Sequence, residues 1–198
     1  MNKNPIAYSK SYTMKKFLLA ITLVVPLVVF SQDAAELHKN GRAYMQNGDH
    51  ANAIIVLNRA LALQPENMEI AKDLALNYYY SKEYTKAISV LRPLIDKETA
   101  DDHCYQIAGD SYLALDQKKE AEKIYRKGIR KVTNNGALYN ELGQLLWSQG
   151  DYSAIKQWEK GIEVDPSFSR NYYNAAKFYY LTTDKVWGII YGETFLYL

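Results

Sequence analysis

The chain has 198 residues, of which 48% are hydrophobic and 23% charged, as is typical of one folded domain or a short repeat array. The formal net charge is +2, but residues 1–31 hold four of the 24 basic residues and none of the 22 acidic ones. The rest of the chain, with 20 basic and 22 acidic residues, lacks the basic excess that binding a nucleic-acid backbone requires.

The N-terminal segment 1–31 has the layout of a secretory signal peptide. Lys15 and Lys16 precede an apolar core of 14 residues, 17–30, which is shorter than the roughly 20 residues of a membrane-spanning helix. We therefore predict an exported protein, periplasmic or associated with the cell envelope, with cleavage after Ser31. The alternative is an uncleaved N-terminal anchor. Cys104 is the only cysteine, so the exported chain has no internal disulfide.

Beyond residue 33 the sequence repeats with a period of 34 residues, which is the signature of a repeat architecture. The first column is small: Gly41, Ala75, Gly109 and Gly143. A second is mostly aromatic: Tyr44, Tyr78, Tyr112 and Leu146. A third is alanine: Ala53, Ala87, Ala121 and, one residue early, Ala154. A fourth is large and apolar: Leu57, Leu91, Tyr125 and Trp158.

Each unit reads as two helices joined by a short turn. In the first unit, residues at helical spacing precede the turn Asn47–Asp49, and a second helical run ends at Pro65. The same plan predicts turns at Lys82–Glu83, Asp116–Gln117 and Gly150–Asp151. Two helices approach closely only where a side chain is small, so the glycine and alanine columns mark the contact points between paired helices.

These columns resemble the tetratricopeptide repeat, which has small residues at positions 8, 20 and 27, tyrosine at 11, a large apolar residue at 24 and proline at 32. The resemblance implies an all-α, right-handed α-solenoid of about five helix-turn-helix units after the signal peptide. The unit boundaries are 34–67, 68–101, 102–135, 136–168 and 169–198, the last unit being partial or uncapped. Pro93 lies inside a predicted second helix and should kink or break it.

The last fifteen residues, 184–198, are apolar and contain Gly188 and Gly192, each of which costs a helix about 1 kcal/mol relative to alanine. The repeat register nevertheless favours a second helix here. Its apolar residues would pack a unit with no polar capping helix behind it. The alternatives are end-to-end self-association through 184–198 and a longer array continuing past residue 198.

No catalytic, cofactor-binding or metal-binding constellation is present in the sequence. There is no glycine-rich phosphate loop and no nucleophile motif, and the histidines His38, His50 and His103 are scattered. The run Asp101–Cys104 lacks the spacing of a metal motif, and Asp101 or Asp102 fits a helix N-cap. The aspartates and glutamates fit solvated helix faces. We therefore predict that the protein is not an enzyme.

What the resemblance implies instead is a concave groove lined by the first helix of each unit. Position 12 supplies large apolar side chains: Met45, Tyr79, Leu113, Trp147 and Tyr180. Position 5 supplies His38, Lys72, Gln106, Asn140 and Tyr173, and position 9 adds Arg42, Gln144 and Lys177, with Leu76 and Asp110 in the same column. Other tyrosines, at positions 4 and 17, are predicted packing residues: Tyr105, Tyr139, Tyr172, Tyr84 and Tyr152.

The predicted function is a non-catalytic scaffold that binds a protein or peptide partner in this groove, in envelope assembly, without a cofactor and without nucleic acid. Membrane contact would come only through the export signal or an uncleaved anchor. The carboxylate clamp of chaperone-binding relatives is not matched, because Asp73 would repel a carboxylate. The alternatives are a structural or oligomerising solenoid, and the repeat portion of a longer protein with its active domain elsewhere.

Overall fold

The structure is a computed structural model that describes residues 33–133, 135–182 and 184–198, so the predicted signal peptide lies outside the described residues. The described part contains helices and no strand, which confirms the predicted all-α class. The ten helices are α1 (Ala34–Gln46), α2 (His50–Leu63), α3 (Met68–Tyr80), α4 (Tyr84–Asp96), α5 (Asp102–Ala114), α6 (Lys118–Lys131), α7 (Gly136–Ser148), α8 (Ala154–Val164), α9 (Ser169–Thr182) and α10 (Lys185–Leu196).

The helices pack as consecutive antiparallel pairs joined by nearly identical turns. In the turn between the two helices of each of units one to four, one residue adopts a left-handed backbone. These residues are Gly48, Lys82, Asp116 and Gly150, with φ of +71°, +62°, +57° and +76°. A backbone N–H just past each turn donates to the carbonyl of the position-11 residue, as Asp49 does to Tyr44 at 2.9 Å. This bond is the Schellman arrangement, which satisfies carbonyls at the helix end and reverses the chain.

The small residues of the repeat lie where paired helices are in close contact, as the sequence predicts. A Cβ built on Gly109 would lie 2.1 Å from the Tyr125 ring, and one built on Gly41 would lie 2.6 Å from Leu57. The alanines of position 20 are fully buried: Ala53, Ala87, Ala121 and Ala154. The contact between paired helices is therefore set by a small residue facing a large one.

Contacts between units arrange the helices in two layers. The first helices α1, α3, α5, α7 and α9 touch one another in succession, whereas the second helices make no such contacts within the described residues. The first helices therefore form the inner, concave layer, and the second helices form the outer one.

Hydrogen bonds between side chains and groups about one repeat apart in the sequence join neighbouring units. Lys97 bonds Glu66 at 2.5 Å, and Lys131 bonds Glu98 at 2.6 Å. Each of these two bonds joins the C-terminal end of a second helix to the loop that follows the preceding second helix. The buried Asn171 donates to the carbonyl of Gly136 at 2.9 Å. The glycine at position 27, Gly161, leaves room for that amide, since a Cβ there would lie 2.3 Å from Asn171 Nδ2.

Some details differ from the sequence-based expectations. Pro93 does not break its helix, because α4 continues to Asp96, and the buried Leu94 and Ile95 hold the chain helical after it. Tyr152 is 61% exposed rather than a core residue. The turn of unit four is one residue short, so α8 starts at Ala154 and leaves Tyr152 in the turn.

The last segment is helical, as the repeat register predicts. The Asp184 carboxylate caps α10 by accepting from the backbone N–H of Trp187 at 3.3 Å. Val186 and Ile189 on this helix are 66% and 57% exposed. In the part of the chain that the structure describes, no helix is both long enough and apolar enough to cross a membrane.

Candidate functional site

The predicted groove residues all lie on the five first helices, so the structure brings them to the inner layer. They do not play equal parts there. Met45, Tyr79, Leu113 and Trp147 are half-buried against the core, and Tyr180 near the end of α9 is mostly exposed. The apolar column is therefore partly packing and partly open surface.

At the N-terminal end of the groove, the polar side chains predicted to contact a ligand instead bond to other residues of the protein. His38 Nε2 and Arg42 Nε lie 2.7 and 2.6 Å from the same oxygen of Asp73, and Arg42 also reaches Glu69. These ion pairs raise the pKa of Arg42, chiefly through its hydrogen bond to Asp73. They also neutralise Asp73, so α1 and α3 are joined by charge as well as by packing.

A cleft of about 340 Å³ lies between α3 and α5 and includes three predicted groove residues, Lys72, Tyr79 and Gln106. We call it the Tyr79 cleft. Its other lining residues are Asp73, Leu76, Tyr80, His103, Ile107 and Asp110. The Tyr79 ring is fixed by edge contacts with Tyr80 and Tyr84, whose ring centroids lie 5.9 and 5.5 Å away.

A second, smaller cleft of about 140 Å³ lies between α7 and α9 and includes the predicted residues Gln144, Trp147 and Lys177. We call it the Trp147 cleft. The Trp147 ring packs edge-on against Phe178 at 5.3 Å and Tyr152 at 5.7 Å. Both clefts therefore place a position-12 aromatic ring on the concave side, two repeats apart.

Two predicted residues at position 5 are placed differently from each other. Asn140 is fully buried, and its side-chain oxygen accepts from Asn174 at 2.7 Å. Its assignment as a direct groove contact stays a prediction, which this burial does not favour. Tyr173 is half exposed, and its ring contacts Phe195 of α10 at 5.6 Å.

Sequence reasoning placed Asp110 in the position-9 groove column but missed that Asp110 and Glu141 are half-buried carboxylates. Asp110 accepts a hydrogen bond of 2.5 Å from the Tyr125 hydroxyl, and Glu141 accepts from Gln106 at 3.1 Å and from Asn140. The interpretation of both acids as solvated helix residues is therefore wrong. A usable signal was Tyr125, which occupies a column that is leucine in units one and two, because a buried phenol needs a polar partner.

The pKa values of both carboxyl groups are raised. Burial raises the pKa of Asp110, although the Tyr125 hydroxyl partly opposes the shift. Burial also raises the pKa of Glu141, and the nearby charge of Asp110 raises it further. Both charges add to the burial that raises the pKa of Tyr79. The two acids in the middle of the concave face therefore ionise less readily than solvated ones.

The Asp101–Cys104 run forms a helix start, as the N-cap interpretation expects. Asp101 accepts from the backbone N–H of Cys104 at 2.9 Å and pairs with Lys72 at 2.7 Å. Side-chain atoms of Asp101, Asp102 and His103 lie within 4.8 Å of one another. Because Asp101 is already held by a lysine and a backbone N–H, the arrangement serves the helix cap and the contact between units two and three.

Comparison with known proteins agrees with this architecture. The family described as anaphase-promoting complex, cyclosome, subunit 3, matches residues 31–128. The crystal structure of MamA superposes with a TM-score of 0.65 at 25% identity, over 79% of this chain and 92% of MamA. YrrB, titled a TPR protein with an unusual peptide-binding site, superposes at 0.58 with 16% identity, over 83% of this chain and 85% of YrrB.

The described residues have the fold of a tetratricopeptide-repeat solenoid. Among sequence relatives, the bovine (Bos taurus) BBSome complex member BBS4 is 28% identical over 137 residues, 69% of this chain. The human (Homo sapiens) protein O-mannosyl-transferase TMTC2 is 32% identical over 94 residues, 46% of this chain. The matched part of the chain spans 26% of the length of the first relative and 11% of the second.

Proposed function

We propose that this protein is a non-catalytic scaffold that binds an extended or helical segment of a partner protein along its concave face. The observation that carries the proposal is the pair of clefts on that face, each presenting a position-12 aromatic ring, Tyr79 or Trp147. Aromatic anchors in pockets with polar groups around them are the usual centres of binding energy in peptide grooves. YrrB, a structural neighbour, carries a peptide-binding site by its title, which is consistent with such a use of the fold.

The double substitution Tyr79→Ala with Trp147→Ala tests this function. Crosslinking capture from cell-envelope fractions, read by mass spectrometry, should recover a set of partners with the native chain and lose it with the double variant. The matched control is Tyr197→Ala, which removes a tyrosine that is 90% exposed outside both clefts. Equal capture by the native chain and a double variant that is still helical by circular dichroism would contradict the proposal.

We also propose that the protein is exported and acts in the periplasm or at the cell envelope, in the assembly of envelope machinery. The support is the layout of residues 14–31, with its two lysines, apolar core and small residue before the cut. Sequencing the N-terminus of the mature protein tests export. Gln32 as the first residue supports cleavage, whereas an intact N-terminus in a membrane fraction supports the anchor.

A second candidate function, end-to-end self-association, is favoured by the exposed apolar face of α10. Each earlier second helix is covered by the next first helix, whereas Val186 and Ile189 of α10 remain exposed. A second copy could bring its own α1, whose outer side presents the exposed Tyr44 in an open cleft. Light scattering should then show a mass that grows with concentration and falls when Ile189 and Val186 become glutamate. A monomer at every concentration would reject this function.

A further inference from the structure

The charges that line the Tyr79 cleft are compensated, with one exception. Lys72 lies 2.8 Å from Glu69 and 2.7 Å from Asp101, and Asp73 is held by His38 and Arg42. Another lining side chain, His103, lies 3.2 Å from the carboxylate of Asp102. Asp110 has no ion-pair partner among the described residues, and its recorded hydrogen-bond partner is the neutral hydroxyl of Tyr125.

The neighbouring acid Glu141 supplies no positive charge to relieve this imbalance. The charge of Asp110 raises the pKa of Glu141, and the hydrogen-bond donors to Glu141 are the neutral amides of Gln106 and Asn140. Arg170 on α9 acts on Glu141 only as a more distant charge. Burying a carboxylate without a cationic partner costs free energy. In the groove without a ligand, Asp110 therefore lacks the positive partner that would offset this cost.

The walls of the cleft fit the rest of a basic side chain. Leu76 and Ile107 supply apolar surface for a methylene stem, and the Tyr79 and Tyr80 rings border the same space. Lysine and arginine bury their stems on apolar surface and place their charged ends near carboxylates or over aromatic rings. An acidic ligand group would instead face the Asp110 carboxylate, and the positive charge of Lys72 is already shared between two carboxylates.

We propose that the Tyr79 cleft is a specificity pocket for one arginine or lysine side chain of the bound segment, with Asp110 as its counter-charge. The inference rests on the proposed function, since it assigns a preference to the same groove. It gives the partner segment a stated chemistry: a basic residue that enters between α3 and α5, and an apolar or aromatic residue positioned for the Trp147 cleft two repeats away. Asp110 binds the ligand here and takes part in no reaction.

Selection from a random-peptide phage library against the full chain tests this pocket. The selected peptides are then synthesised in two forms, one with the basic residue and one with norleucine, which keeps the apolar stem and removes the charge. Affinities are measured by fluorescence polarisation with the native chain, with Asp110→Asn and with Asp116→Asn. Asparagine at 110 can still accept a hydrogen bond from the Tyr125 hydroxyl. Asp116 is a matched control because its side chain is 90% exposed and lies outside the cleft.

The expected result is a basic residue enriched at one position, with norleucine weakening binding by about tenfold or more to the native chain and to Asp116→Asn. Binding to Asp110→Asn should barely distinguish the two peptide forms. Peptides enriched without a basic residue, or an equal norleucine effect in Asp110→Asn, would overturn the pocket while leaving groove binding intact. A selection that enriches no peptide would overturn the proposed function itself, and the pocket with it.

Discussion

Exchanging glycine for alanine at two helix positions of this solenoid should change its stability in opposite directions. Alanine in place of helical glycine is favourable by about 1 kcal/mol through backbone entropy alone. At Gly109 the new methyl carbon would lie 2.1, 2.5 and 2.7 Å from three carbons of the Tyr125 ring. At Gly192 the nearest atom is 3.9 Å away, so the methyl group fits without displacement.

The magnitude at Gly109 follows from how tightly the ring is held. Tyr125 is fully buried, and its hydroxyl is fixed to Asp110, so the ring cannot swing aside without losing that bond. Overpacking of this kind costs about 1–3 kcal/mol and at times more, and the upper end of that range exceeds the backbone gain. We expect Gly109→Ala to lose about 2 kcal/mol net, and Gly192→Ala to gain about 0.5–1 kcal/mol.

Thermal unfolding followed by circular dichroism measures both changes. For a protein of this size, 1 kcal/mol corresponds to roughly 2–4 °C in Tm, so the two variants should differ by several degrees in opposite directions. A double variant, Gly109→Ala with Tyr125→Leu, recreates the alanine–leucine pair that unit two has at Ala75 and Leu91. It should lose less stability than the two single changes together. Equal shifts for Gly109→Ala and Gly192→Ala would refute the packing argument.

Three further predictions concern charge and burial. Because burial raises the folded-state pKa of Glu141 above its unfolded value, the stability that this carboxyl contributes is present at low pH and is lost as pH rises through the folded pKa. Glu141→Gln should therefore raise Tm at pH 8 and change it little at pH 4, and a uniform shift would contradict this reasoning. Burial disfavours the charged form of Asp101, but the ion pair with Lys72 and the hydrogen bonds from Cys104 lower its pKa. Lys72→Met removes the lysine and should therefore destabilise the protein by about 1–3 kcal/mol at pH 7. The loss should become smaller as pH falls through the range where Asp101 protonates, which urea unfolding at several pH values measures. Cys104 is fully buried and burial raises its pKa, so a thiol reagent should label it only as fast as the protein opens, and fast labelling of the native chain would be inconsistent with this packing.

The repeat period predicted most of the fold because each column has one packing task repeated at a fixed spacing. Gly109 predicted close contact with the following helix, and Asp116 predicted a turn, without any knowledge of the neighbouring units. The helix at 185–196 followed from the same register, despite Gly188 and Gly192.

Features that depend on several units at once could not be predicted in this way. The burial of Asp110 and Glu141 arises where α3, α5 and α7 come together on the concave side, and the repeat columns indicate it only indirectly, through the phenol of Tyr125. His50 begins α2 and lies 2.8 Å from the side chain of the buried Asn77 in the next unit, a contact that the pattern of its own unit does not reveal. The exposure of Tyr152 follows from one missing residue in its turn, whose effect only the packed neighbours decide.

Contacts in this protein run from each unit to its immediate neighbours, so cohesion is unequal along its length. The outer hairpins are held from one side within the described residues, while the hairpins of units two to four are held from both. Hydrogen exchange in such an array is slowest where opening a hairpin breaks neighbour contacts on both sides. The Tyr79 cleft and the carboxylates beside it lie between hairpins that are held from both sides, so this surface opens only when two sets of contacts break.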